Sequence, residues 1–114
     1  MSHTIYKIVP ALLWREAERE GTFRGAPVDH LDGFIHFSTR EQVVETAARH
    51  FAGQHDLLLA AIDAGALGDA LKWEPSRGGA LFPHLYGPLP MRAVKWMRPL
   101  LVGADGLHIF PHMD

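Results

Sequence analysis

Apolar positions along the 114-residue chain alternate between two periods, and the switches between them predict the element order. Thr4-Ile-Tyr-Lys-Ile-Val9 is rich in β-branched and aromatic residues and predicts a first strand. Pro10 then suits a helix start, and Ala11 to Glu20 predicts a helix with Leu12, Leu13, Trp14 and Ala17 on its apolar side, ended by Gly21. From Thr22 to Gly33 no period holds, which predicts a long loop with a brief strand at Thr22–Arg24. Phe34-Ile-His-Phe-Ser38 predicts a short buried strand. The helix after it runs from Thr39 to about Phe51, because Val43, Val44, Ala47, Ala48 and Phe51 recur at helical spacing. Ser38 and Glu41 stand at the spacing of a capping box for that helix.

The second half is strand-rich. Leu57 to Ile62 is an unbroken apolar run between Asp56 and Asp63, the pattern of a central strand covered on both faces. Leu71-Lys-Trp-Glu74 predicts a short strand stopped by Pro75. Leu81 to Pro88 carries Pro83 and Pro88 and predicts an irregular aromatic segment. One or two strands are expected within Met91–Val102, and a turn at Asp105-Gly106 leads to a last strand at Leu107–Phe110. Without repeat, linker or low-complexity tract, the order predicts one α+β domain spanning residues 1–114.

Composition narrows the chemistry. Cysteine is absent, which removes disulfide frameworks, thiolate metal sites and cysteine nucleophiles, and fits a reduced cytoplasmic compartment. No apolar run is long enough to span a bilayer, and the first residues lack a signal pattern. A formal charge of −2 supplies no field for a polyanion, so nucleic acid is not an expected partner, while a small nucleotide needs only two or three positive groups. Eight histidines stand out, yet none shows a helical metal-ligand spacing and no metal is expected.

Two segments carry candidate chemistry. In the first, Phe34, His36 and Ser38 share one face of a strand that runs into a helix N-terminus, a seat for an anion or a carboxamide oxygen. In the second, Phe82-Pro-His-Leu-Tyr-Gly-Pro88 sets the imidazole of His84 and the phenol of Tyr86 in a stretch stiffened by proline, suited to stacking on a planar ring. Glu74, beside Trp73, could have its pKa raised by desolvation, or it could pair with Lys72, Arg77 or Lys7. The residues alone also allow a plainer picture, with His36 as a core hydrogen-bond donor and Ser38 as a helix cap, and with Phe82 and Tyr86 as the core of a proline corner that leaves His84 exposed.

Asp32-Gly-Phe-Ile-His-Phe-Ser-Thr-x-x-Gln42, Lys72-Trp-Glu74 and Phe82-Pro-His-Leu-Tyr-Gly-Pro88 together resemble domain-of-unknown-function family 952 over nearly the whole chain. More distantly, the element order is similar to the ADP-ribosyltransferase-like fold, a split β-sheet with two main helices, and within it to the RNA 2′-phosphotransferases. That resemblance implies a cleft for NAD or ADP-ribose, used for transfer or hydrolysis, with a non-catalytic module for a nucleotide-like or anionic ligand as the alternative. It implies His36, Glu74 and His84 as catalytic residues, with Lys7, Ser38, Thr39 and Tyr86 contacting the dinucleotide and Tyr86 or His84 on the wall opposite His36. One position departs from the family: its first strand reads Ile-Tyr-His-Ile, and here the third of those residues is Lys7.

Overall fold

The computed structural model describes residues 3–113. Strand β1 (Thr4–Pro10) leads into helix α1 (Ala11–Glu20), which ends at Gly21 with φ 82°, a left-handed conformation that glycine adopts without strain. Strand β2 (Thr22–Phe23) follows, then helix α2 (Pro27–Asp32), β3 (Ile35–His36) and α3 (Arg40–His50). β4 (Leu57–Asp63), β5 (Leu71–Pro75), β6 (Leu81–Leu85), β7 (Leu89–Pro90), β8 (Val94–Val102) and β9 (His108–Ile109) complete the α+β chain, with short 3-10 turns between several of them. All the strand pairings are antiparallel.

Among the described residues three sheets form: β1-β4-β8-β9, β3-β6-β5 and the small pair β2-β7. The unbroken apolar run became the central strand β4 because both of its faces are covered. Leu58, Ala60 and Ile62 join one core with Ile5, Val9, Trp14 and Phe23, whereas Leu57, Leu59 and Ala61 join another with Ile8, Val43, Ala47 and Leu100. The first core also takes Ile35 and Leu85, the inner face of the β3-β6-β5 sheet. That small sheet is stitched to the edge of β1 by paired hydrogen bonds between Tyr6 and Ser38, at 2.8 and 2.9 Å. Among the described residues no helix is long and apolar enough to cross a membrane.

Three expectations are corrected. The aperiodic stretch 22–33 contains α2, a helix too short to show a period but marked by Pro27 in its first turn, Asp29 in its third position and Gly33 just past its end. The cap of α3 is one residue later than expected: Thr39 Oγ1 accepts from Gln42 N–H, and Gln42 Oε1 accepts from Thr39 N–H. Ser38 is withdrawn from capping by its bridge to Tyr6. Thr39→Ala therefore lowers unfolding free energy by about 1 kcal/mol in a denaturant titration, whereas Glu41→Gln changes it far less. Finally, Pro83 lies inside a regular strand. Its carbonyl accepts from Phe37 N–H at 3.0 Å, so its missing donor faces the end of β3 and leaves the pairing with Trp73 of β5 intact.

Candidate functional site

The face of the β3-β6-β5 sheet turned away from the core collects the candidate residues. His36 and His84 are direct cross-strand partners, and Lys72 is the partner of His84 on β5. Residues two apart share a face, so Phe34 and Glu74 also project there, while Trp73 points the other way. The imidazoles of His36 and His84 are 5.6 Å apart, centroid to centroid. Phe34 lies against both, stacked on His84 at 4.0 Å and tilted on His36 at 4.6 Å, and it meets the Tyr86 ring at 5.3 Å. The two histidines are thus neighbours on one sheet, not opposite walls of a cleft, which corrects the arrangement the resemblance implied.

His84 is buried and its Nδ1 is 2.8 Å from Glu74 Oε1, the same oxygen that accepts from Tyr86 Oη at 2.8 Å. An ionised carboxylate only accepts, so Nδ1 carries a proton and donates it to Glu74, which in the neutral ring leaves the lone pair on Nε2. Bonds from His84 and Tyr86 hold the Glu74 carboxyl below its usual value, and the same bond raises the Tyr86 phenol. Of the two readings open for Glu74, desolvation by Trp73 gives way to pairing: the indole sits on the opposite face, and hydrogen bonds set the direction, with Lys72 adding to it. Tyr86→Phe removes one of them, so the Glu74 carboxyl titrates closer to its ordinary value, as carboxyl NMR would show.

His36 is held differently. Nδ1 is 2.7 Å from Asp29 Oδ1 and Nε2 is 2.9 Å from Asp32 Oδ2, so α2 grips both ring nitrogens. Asp29 is buried, and besides His36 it accepts from the backbone N–H groups of Ala26 and His36 and pairs with Lys7 Nζ at 3.1 Å. Burial pushes the Asp29 carboxyl up, but the His36 bond, the Lys7 charge and the two N–H groups outweigh it and hold the group far below the carboxylate range. Lys7 is buried too, on the face of β1 shared by Ile5 and Val9; burial lowers its pKa against the pull of Asp29. Its ammonium points into the protein.

Ser38 and Thr39 turn elsewhere. Ser38 Oγ meets Thr46 Oγ1 at 2.8 Å, and Thr46 Oγ1 also accepts from Arg77 Nη2 at 2.9 Å, while the Thr39 hydroxyl caps α3. Five of the seven predicted site residues, Lys7, His36, Glu74, His84 and Tyr86, therefore fall in one connected cluster, whereas the hydroxyls of Ser38 and Thr39 bond to α3. Asp29 and Asp32 were given no role by the sequence, and Phe34 was named only as sharing the face of His36. The two aspartates stand three apart in a single helical turn closed by a glycine, a spacing that puts both on one side of α2.

A cleft of about 280 Å³ adjoins the cluster, lined among others by Arg24, Asp29, His30, Phe34 and Gly87. Among the described residues no group of three or more His, Cys, Asp or Glu side chains converges as a metal would require.

Fold and site define a small α+β domain presenting a carboxylate-oriented imidazole beside a second, clamped one. The chain belongs to the DUF952 family, described as proteins of unknown function, whose pattern matches residues 8–97. It is similar to the crystal structure of protein CC0527 from Caulobacter crescentus, with 50% identity, 93% of each chain covered and a TM-score of 0.90. The solution NMR structure of CC0527 gives 51% identity and a TM-score of 0.82, covering 91% of this chain and 90% of that one. No curated protein matches.

Proposed function

We propose that the domain binds the nicotinamide riboside end of NAD at the His36–His84 face and cleaves or transfers ADP-ribose there, in the cytoplasm. The observation that carries this reading is the His84–Glu74 dyad, 2.8 Å across, set 5.6 Å from a second imidazole under the ring of Phe34. The similarity of element order to ADP-ribosyltransferase-like folds supports it.

The chemistry draws on carboxylates close to the two imidazoles. Nicotinamide in NAD is cationic, and breaking its bond to the ribose C1′ spreads positive charge over C1′ and the ring oxygen, which nearby carboxylates stabilise. The bonding pair leaves with the nicotinamide nitrogen. An acceptor hydroxyl or water then bonds to C1′ and gives its proton to His84 Nε2, and Glu74 balances the imidazolium that results. Phe34 and Tyr86 offer aromatic faces to the departing ring. In this reading Glu74 Oε2 meets the ribose, while Oε1 stays with His84 and Tyr86.

A thermal-shift series with NAD, ADP-ribose and nicotinamide tests the reading alongside an assay of nicotinamide release. A ligand at 100 times its Kd adds about 2.7 kcal/mol to unfolding free energy. The expected result is stabilisation by ADP-ribose together with nicotinamide released from NAD. Stabilisation without release would identify a non-catalytic nucleotide-binding module, and no response to any of the three would refute the proposal.

A further inference from the structure

A lysine in the middle of an apolar strand face calls for a reason. Ile5 and Val9 flank Lys7 on the same side of β1 and are wholly buried, and Lys7 itself is 5% exposed. Its ammonium reaches Asp29, 22 residues away in sequence, at 3.1 Å from both carboxylate oxygens. Asp29 in turn holds His36 twice, by the ring Nδ1 at 2.7 Å and by the backbone N–H at 3.0 Å. β1 and β3 belong to different sheets, so this chain of contacts crosses the seam between the two.

We infer that Lys7 is a positioning residue: it acts on the site only through Asp29, whose ionised carboxylate fixes the ring of His36, and it does not touch the ligand. This rests on the proposed function for its activity readout. The physical reason is that a carboxylate sealed in apolar surroundings either finds a counter-charge or takes up a proton. A protonated Asp29 would be a weaker acceptor for the Nδ1 proton, and the ring would lose its orientation. Lys7 supplies the counter-charge from beneath, while the ring stays 32% exposed on the other side. A lysine contacting a ligand phosphate would need its ammonium at the surface; this one is enclosed.

A double-variant cycle with Lys7→Met and Asp29→Asn tests the inference, with folding of each variant checked by thermal unfolding. Each single change is expected to lower nicotinamide release or ADP-ribose affinity on the order of 10- to 100-fold, the range for groups that orient a functional histidine. Adding Lys7→Met to Asp29→Asn should then give no further loss, because the carboxylate through which Lys7 acts is already gone. Additive losses would mean that Lys7 meets the ligand directly and would overturn the inference. Proton NMR of the His36 ring gives a readout independent of any ligand: the Nδ1 proton should move upfield and exchange faster in Lys7→Met. An unchanged Nδ1 signal in that variant would overturn the inference even if the chain bound no nucleotide, an outcome that separately removes the proposed function.

Discussion

Replacing His84 by glutamine is expected to lower nicotinamide release by roughly two to four orders of magnitude, the range typical of a lost general base, with little change in thermal stability. Glutamine keeps the size of the side chain and can still donate to Glu74 Oε1, but it has no basic lone pair to take the acceptor's proton. His36→Gln should act less on the chemical step, because both ring nitrogens of His36 are engaged by Asp29 and Asp32 and its role is to shape the face. The ratio of the two variants in single-turnover kinetics separates the roles. Equal losses would show that the assignment of His84 as the base is wrong.

Asp29→Ala is expected to cost about 3–5 kcal/mol of unfolding free energy, because it strands the Lys7 ammonium in the core. It also frees two backbone N–H groups and one ring nitrogen. The pH dependence of this deficit has a definite sign. The Asp29 pKa is depressed in the folded chain, so its contribution is complete above the ordinary value of 3.8 and shrinks as pH falls from there toward the much lower folded value. Lys7 has a folded pKa below its ordinary 10.5, so the folded state gives up its proton first and stability tied to it rises with pH. In Asp29→Ala nothing opposes that depression, and the deficit should narrow in alkali as well as in strong acid. Urea unfolding of both chains across the pH range measures it.

The long periodic segments were legible from the sequence. Val43, Ala47 and Phe51 marked α3, and the uninterrupted Leu57–Ile62 fitted a strand covered on both sides better than a helix. The pairing of His36 with His84 was anticipated as proximity but not as strand register, since register depends on contacts nearly 50 residues apart. α2 was hidden because six residues complete less than two helical turns, too few for a hydrophobic stripe. The direction of the Glu74 shift stayed open in the sequence for a related reason: Trp73 is its neighbour in sequence, yet alternation along β5 sends the two to opposite faces, and the partners that matter come from β6 and the residue after it. Pro83 misled because strand pairing was judged without knowing which side its missing donor would face. Lys7 could be read from sequence only as a departure from a family pattern; its burial against Asp29 is a consequence of how two sheets meet.

The most direct measurement is an NMR titration of the native chain with ADP-ribose, following the ring signals of His36, His84, Phe34 and Tyr86. Saturable shifts concentrated on those four side chains, absent when adenine alone is added, are the predicted result. Unchanged imidazole and phenol resonances at saturating ADP-ribose, or shifts confined to another part of the surface, would contradict a nucleotide site on this face.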